Sequence, residues 1–241
     1  MEELEKITYD VLAERALYPF DSKKLVYWAI DVLMLGKESE NLCLLAGLDN
    51  DTTEEREEYF LKSLNDIKFE KKKSEKELIE IYAKNLAKKA VNGEINIDVA
   101  FKKMVKVFYY SDDDSKYSDF FEIDEDLDSL KYDNTTLFIS ELTLDNYKEY
   151  ILEEFKIFIE MQDLQIPNAE REKCYCLKCK KFTKPTLKNK YGLFKKPFKY
   201  NVWSCEFCKS EKLKYSTDHF VKKLLIEKYK EIDEKNLSKS V

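Results

Sequence analysis

Apolar residues recur at intervals of three and four along most of the chain, and this spacing is typical of amphipathic helices. Two clear apolar stripes lie in segments 25–33 and 97–108. Polar caps and glycines bound several such segments. Thr52 and Glu55 have the spacing of a capping box, and Gly36 stands where a helix would end. The pattern therefore predicts a multi-helix N-terminal part.

The pattern changes after Pro167. Between residues 181 and 203 aromatic residues alternate with lysines, as expected for two or three short strands. Helical spacing returns from about residue 217 to residue 234, with Val221, Leu224 and Leu225 on the apolar side. We therefore predict a mainly α fold with two domains. Residues 1–167 form an acidic all-helical domain, and residues 168–241 form a basic module with a small β structure and a closing helix.

The two predicted domains differ in charge. The chain has 42 Lys+Arg and 48 Asp+Glu, a formal net charge of −6. Residues 171–241 hold 20 of the basic and 8 of the acidic residues, a net +12, which leaves −18 for residues 1–170. Such a split favours either docking of one part on the other or two partner surfaces of opposite sign.

The cysteines have the spacing of a metal site. Four of the six form two Cys-x-x-Cys pairs, in which each short spacer lets a turn aim two sulfurs at one ion. Four thiolates leave no open position for water or substrate, so we expect a structural Zn²⁺. Cys174 could replace Cys176 as a ligand, or remain a spare thiol that supports the site or is open to oxidation. The predicted ligands are Cys176, Cys179, Cys205 and Cys208.

Over about 45 residues around these pairs the chain resembles the zinc ribbon family. The resemblance implies short antiparallel strands that are held together by the ion. The sequence departs from the common pattern of the family after each second cysteine, where Lys180 and Lys209 stand in place of the usual glycine.

A basic aromatic strip, residues 178–203, lies between the two cysteine pairs. Lysines attract phosphate and aromatic rings stack on unpaired bases, so the strip could bind nucleic acid. It contains no arginine, the residue that reads bases through two hydrogen bonds. The strip could also contact an acidic protein surface, or its lysines could simply be solvated. The candidate nucleic-acid contacts are Lys190, Lys195, Lys196, Lys199 and Trp203.

A strongly acidic segment, residues 111–128, is predicted to be a mobile loop followed by a short helix. It lacks the pattern of an EF-hand loop, because Ser129 and Thr135 stand at the Gly and Glu positions. Its charge suits a basic partner, and flanking aromatic residues, Tyr109 and Tyr110 among them, could anchor that partner. The candidate partner-binding residues are Asp112, Asp113, Asp114, Tyr117, Asp119 and Phe120.

The sequence offers little catalytic machinery, and we expect a protein that is not an enzyme and has no small-molecule substrate. His219, the only histidine, is predicted to be a surface or capping residue of the last helix. Four scattered glycines form no phosphate-binding loop. The triplet of Glu154, Phe155 and Lys156 has the form of a nuclease Glu-x-Lys, but such triplets are frequent in charged helices. With no leader and no apolar run of about 20 residues, we expect a cytoplasmic protein without a membrane partner.

An N-terminal pattern is similar to that of uncharacterised all-helical bacterial proteins, some of which resemble immunity proteins paired with toxins. The resemblance implies a protein that neutralises a partner by binding it. Our first hypothesis is therefore a non-enzymatic binder of a basic protein, of the immunity type. The alternative is a nucleic-acid-associated zinc-ribbon protein. The residues that carry the resemblance are Leu25, Trp28, Ala29, Leu33 and Gly36, followed by Leu42, Leu45, Ala46, Gly47 and Leu48.

Overall fold

A computed structural model describes residues 2–17, 19–191 and 199–237 of the chain. Within these ranges the protein forms ten helices and five short strands. The helices are α1 (Glu2–Arg15), α2 (Lys23–Met34), α3 (Glu40–Gly47), α4 (Thr53–Asp66), α5 (Glu75–Val91), α6 (Ile97–Tyr110), α7 (Ser118–Asp133), α8 (Tyr147–Asp163), α9 (Asn168–Arg171) and α10 (His219–Leu237). The strands are β1 (Cys174–Cys176), β2 (Lys181–Thr183), β3 (Pro185–Tyr191), β4 (Lys199–Cys205) and β5 (Leu213–Lys214).

The order of elements confirms the predicted fold class. The protein is mainly α, with helices first, then small antiparallel sheets, then a closing helix. Predicted caps are present as well: Thr52 and Glu55 form a complete capping box at the start of α4. In the described part of the chain, no helix is long and apolar enough to cross a membrane.

The chain divides into two compact units, of which the first comprises Met1–Leu86 with Tyr109–Asp112. Its core forms around α2, where Trp28 packs edge-on against Phe60 at a ring-centroid distance of 4.8 Å. The indole N–H of Trp28 donates a hydrogen bond of 3.1 Å to Thr8 Oγ1, so the polar group of this buried side chain has a partner.

The second unit comprises Ala87–Phe108 with Asp113–Val241. Its helical core includes an aromatic cluster of α7 and α8, with Phe120 in contact with Phe155 and Phe158. The end of α8 packs through Ile157 and Met161 on α10. This unit therefore holds both the helices α7–α10 and the cysteine-rich strands. The boundary predicted at residue 167 came from the change of sequence pattern after Pro167 and from the difference in charge, and it stays a prediction.

Two small sheets follow α9. In the first, β1 lies between β2 and β5 and pairs antiparallel with both. In the second, β3 and β4 form an antiparallel hairpin whose register runs from the pair Pro185 and Cys205 to the pair Tyr191 and Lys199. The tip of this hairpin, 192–198, lies outside the described residues.

The acidic segment forms turns over residues 111–117 and then a helix, in the predicted order, but the helix is longer than predicted. Residues 118–133 form α7, a helix of 16 residues with Phe120, Ile123, Leu127 and Leu130 buried along one face. The spacing of these apolar residues is helical, and their burial outweighs the repulsion among the carboxylates on the other faces. Tyr117 and Phe120 are fully buried, so they belong to the core rather than to a binding surface.

Candidate functional site

The four predicted ligands meet at one point of the second unit. Their sulfur atoms all lie within 4.8 Å of one another. Cys176 Sγ lies 3.5 Å from Cys208 Sγ, and Cys179 Sγ lies 3.6 Å from Cys205 Sγ. A tetrahedral ion with metal–sulfur bonds of about 2.3 Å separates its ligands by about 3.8 Å. The group can therefore hold a metal ion, and four thiolates suit zinc.

Two matching turns aim the sulfurs. Cys176 ends β1 and Cys205 ends β4. The N–H of Lys180 donates to the carbonyl of Cys176, and the N–H of Lys209 donates to the carbonyl of Cys205, each at 2.9 Å. Lys180 and Lys209 have φ of +58° and +57°, a left-handed conformation that glycine adopts more easily. A lysine at each of these two positions therefore has a conformational cost that a glycine would not have.

The thiols of Cys205 and Cys179 have pKa values that are shifted in opposite directions. Burial raises the pKa of Cys205, but hydrogen bonds from the backbone N–H groups of Cys208 and Phe207 outweigh it and bring the pKa to about 6. Burial and hydrogen bonds to neighbouring sulfurs raise the pKa of Cys179 to about 12. Adjacent thiolates repel, so all four sulfurs become thiolates together only beside a cation.

Cys174 does not belong to the metal-binding group. It lies in β1 opposite Thr183, is buried, and has its thiol pKa raised by that burial. Of the two alternatives for this cysteine, the structure therefore supports the spare thiol. Cys176, two residues further along the strand, provides the sulfur of the group.

One side of the β3–β4 hairpin is exposed at three successive cross-strand pairs, and we call this side the hairpin face. Residues directly opposite each other in an antiparallel pair point to the same side, and successive residues alternate. Three cross-strand pairs therefore share this face. All six side chains are exposed, and they are Leu187 with Trp203, Asn189 with Asn201, and Tyr191 with Lys199.

The predicted nucleic-acid residues fall on both sides of the hairpin. Trp203 and Lys199 belong to the hairpin face. Lys190 points to the other side, where its Nζ lies 2.6 Å from Glu211 Oε2. Lys195 and Lys196 lie outside the described residues.

The predicted partner-binding residues do not form one exposed group. Asp112 and Asp113 are exposed, and both have positive φ. Asp114 accepts a hydrogen bond of 3.0 Å from the backbone N–H of Lys116. Tyr117 and Phe120 are core residues, and Asp119 forms an ion pair with a buried lysine.

That lysine, Lys222, belongs to a charged cluster that the sequence analysis did not find. Its Nζ lies 2.7 Å from Glu154 Oε2 and 2.9 Å from Asp119 Oδ1. His219 Nε2 lies 2.9 Å from the same Glu154 oxygen, and the His219 ring stacks on Tyr150. The prediction of His219 as a surface or capping residue was therefore wrong. A charged residue on the apolar stripe of a helix was the available signal, because Lys222 is followed by Leu225 and Ile226 at helical spacing.

Glu154 and Lys222 hold each other in the charged form. Burial raises the pKa of Glu154, but Lys222 and His219 outweigh it and lower the pKa to about 2. Burial lowers the pKa of Lys222, but Asp119 and Glu154 raise it overall. Lys156, by contrast, lies at 3.3 Å from Glu153, so the Glu-x-Lys triplet does not form a joint site with Glu154.

Comparison with protein-family models, with curated proteins and with solved structures gives no match for this chain.

Proposed function

We propose that this chain binds single-stranded nucleic acid through a zinc-ribbon-like module, residues 174–215, that is ordered by Zn²⁺. The observation that carries the proposal is the hairpin face, where exposed aromatic side chains lie beside lysine and asparagine on a two-stranded sheet. Exposed apolar side chains that share one face mark a binding surface more often than ones that are scattered singly.

The charge of the module favours a polyanion. Residues 174–215 contain twelve lysines and two glutamates, a net +10. Lysines that contact phosphates release condensed counterions, and this release drives binding at low salt. The remaining charge of the chain is acidic, so the attraction is local to the module.

The aromatic residues of the hairpin face favour unpaired bases. Trp203 is 50% exposed and Tyr191 is 72% exposed, and both rings are available for stacking. The amides of Asn189 and Asn201 lie between these rings and can donate or accept hydrogen bonds. Bases in a duplex already stack on their neighbours, so a single strand is the better ligand.

Low sequence specificity is expected of this module. Arg171 is the last arginine of the chain, and the bidentate guanine contact of arginine is therefore not available from residues 172–241. Stacking and phosphate contacts distinguish single strands from duplexes more than they distinguish one base from another.

The role of the metal ion in this proposal is structural. Cys205 is the last residue of β4 and pairs with Pro185 at the base of the hairpin. An ion shared by Cys205, Cys208, Cys176 and Cys179 would fix that base to the three-stranded sheet. Metal loss is therefore expected to release the hairpin and weaken binding.

The proposal is tested by fluorescence anisotropy with labelled oligonucleotides. We expect oligo-dT of about 12 nucleotides to bind more tightly than a duplex, and to lose affinity from about 50 to about 200 mM salt. Trp203→Ala should weaken binding about tenfold. Tyr132→Ala removes a highly exposed aromatic residue of α7 and serves as the control. Binding that does not depend on salt, or no binding, would reject the proposal.

The immunity-type hypothesis stays a prediction. Its acidic residues Asp112 and Asp113 are exposed, but two of its aromatic anchors, Tyr117 and Phe120, are buried. A pull-down from the native cell distinguishes the hypotheses: a basic protein as the retained partner favours immunity, and nucleic acid that is released by salt favours the hairpin.

A further inference from the structure

A cavity of about 270 Å³ lies where the segment between α7 and α8 meets the segment between β5 and α10. All of its walls belong to the second unit. The described residues that line it belong neither to the cysteine group nor to the hairpin face. It is therefore a separate candidate for a ligand site.

Two aromatic side chains of the cavity wall remain open to solvent. Phe138 is 47% exposed and Tyr215 is 51% exposed, and they come from separate segments of the chain. Ile139 and Tyr150 are buried and form an apolar part of the wall. The hydroxyl of Tyr150 donates to the carbonyl of Thr217 at 3.4 Å, which holds this ring in place. Accessible aromatic rings beside a fixed apolar wall suit a flat ligand that stacks.

The charged groups of the cavity are engaged with one another. Lys214 Nζ lies 2.5 Å from Asp218 Oδ2 and 3.5 Å from Glu141 Oε1. Asp218 also accepts a hydrogen bond of 2.9 Å from the N–H of Phe220, in the first turn of α10. A cationic ligand would lie beside the Lys214 ammonium, and an anionic ligand would lie beside two carboxylates. The arrangement therefore favours a ligand without a formal charge.

Two hydroxyl groups of the wall are available to such a ligand. Ser140 is exposed and Thr217 is partly buried. Among the residues that the structure describes, neither side-chain hydroxyl has a hydrogen-bond partner. Each hydroxyl can donate one hydrogen bond and accept others, so the wall can bond to a ligand that has both kinds of group.

The volume of the cavity limits the size of the ligand. An engineered cavity of about 150 Å³ holds benzene, so a cavity of 270 Å³ corresponds to about eleven non-hydrogen atoms. A purine base has nearly this size. Its flat ring system stacks on aromatic side chains, and its edges carry donors and acceptors.

We propose that this cavity binds a purine base, which contacts the rings of Phe138 and Tyr215 and forms hydrogen bonds with the hydroxyls of Ser140 and Thr217. The base belongs either to a free nucleoside or to a nucleic-acid strand. Because the cavity is separate from the hairpin face, this proposal does not depend on the function proposed above.

Isothermal titration calorimetry with adenosine, ribose and tetramethylammonium tests the proposal. We expect one saturable site for adenosine and no saturable binding of ribose, which lacks the base. Tetramethylammonium, the probe for a cage of aromatic rings that attracts a cation, should not bind either.

Two variants locate the adenosine site. Tyr215→Ala and Phe138→Ala should each weaken adenosine binding about tenfold, because each removes a stacking surface. Tyr132→Ala removes an exposed aromatic residue of α7 that does not line the cavity, and it should bind adenosine as the wild type does.

Competition against labelled oligo-dA distinguishes the two sources of the base. If a base of the strand enters the cavity, adenosine should weaken oligo-dA binding, and Tyr215→Ala should weaken it more than it weakens oligo-dT binding. If only a free nucleoside enters, Tyr215→Ala should leave oligo-dA binding unchanged. Both outcomes support the cavity as the adenosine site.

Four results would overturn the proposal. The first two are a lack of saturable adenosine binding to the wild type and equal affinity for adenosine and ribose. The third is saturable binding of tetramethylammonium in place of adenosine. The fourth is adenosine binding that Trp203→Ala weakens and Tyr215→Ala and Phe138→Ala do not, which would place the nucleoside on the hairpin face. If a variant does not fold, the comparison of the three probes on the wild-type protein decides the question.

Discussion

The ammonium group of Lys222 lies 2.7 Å from Glu154 Oε2, and the two side chains are 4% and 3% exposed. The residues are 68 positions apart, on α10 and α8. Two charges that are removed from water in this way depend on each other, because each would be strongly unfavourable alone. The pair therefore fixes how α10 packs on α8 within the second unit.

Breaking this pair should destabilise the protein strongly. We expect Lys222→Met to lower the free energy of unfolding by about 3–5 kcal/mol, since it leaves Glu154 buried without its cation. The double variant with Glu154→Gln should recover part of the loss. Lys223→Met, at an exposed neighbour, should cost under about 1 kcal/mol. Urea unfolding of the wild type, Lys222→Met, Glu154→Gln, the double variant and Lys223→Met measures these changes, and strict additivity of the two single changes at positions 222 and 154 would contradict the pairing.

The free energy of unfolding should depend on pH in two ranges, one through Glu154 and one through Glu122. The pKa of Glu154 is lowered to about 2, so its contribution is present above its ordinary value of 4.5 and is lost as pH falls toward 2. The pKa of Glu122 is raised to about 7, so the folded state binds the extra proton and stability falls as pH rises from 4.5 to 7. Glu122→Gln should remove the second trend and keep the first. Unfolding curves across this range that are parallel for variant and wild type would contradict the assignment.

Glycine and valine should have opposite effects on stability at Lys209, which follows the second cysteine pair in a left-handed conformation. Lys209 has a φ of +57°. Lys209→Gly relieves a left-handed strain of about 1–2 kcal/mol, offset in part by the entropy of glycine, so a gain of up to about 1 kcal/mol is expected. Lys209→Val should destabilise by more than about 1 kcal/mol, because branching at Cβ disfavours this conformation.

Thermal unfolding of the metal-loaded protein measures these changes. The matched controls are the same two substitutions at Lys212, an exposed lysine that is not among the residues with positive φ. If each substitution changes the thermal stability equally at positions 209 and 212, the positive φ of Lys209 is not the cause.

Two cysteines separated by one residue should behave differently on replacement by serine. Cys176→Ser removes a sulfur from the group and should abolish tight metal binding. Cys174→Ser should retain one metal ion per chain, because Cys174 lies outside that group. Metal content by mass spectrometry under native conditions compares the two, and equal loss of metal in both variants would assign Cys174 to the site.

The sequence predicted local features better than distant ones. The cysteine spacing identified the metal-binding group, because each of its two turns is built from residues close together in the chain. Lys180 and Lys209 adopt positive φ in these turns. The helical class followed from apolar periodicity, which the structure confirms.

The errors arose where composition was given more weight than periodicity or where distant residues meet. Over residues 111–128 a run of carboxylates suggested a loop and only a short helix, although Phe120, Ile123 and Leu127 already had helical spacing. The pairing of Lys222 with Glu154 depends on how α8 and α10 pack, and no local pattern encodes such a partnership.

Anisotropy of a labelled oligo-dT strand, followed while the metal is removed from the wild-type protein and then restored, tests the link between the cysteine group and the hairpin face. We expect binding to disappear with the metal and to return when Zn²⁺ is added, with Trp203→Ala weak throughout. Binding that persists after complete metal removal would contradict a metal-ordered hairpin, and no binding by the metal-loaded protein would contradict the nucleic-acid function.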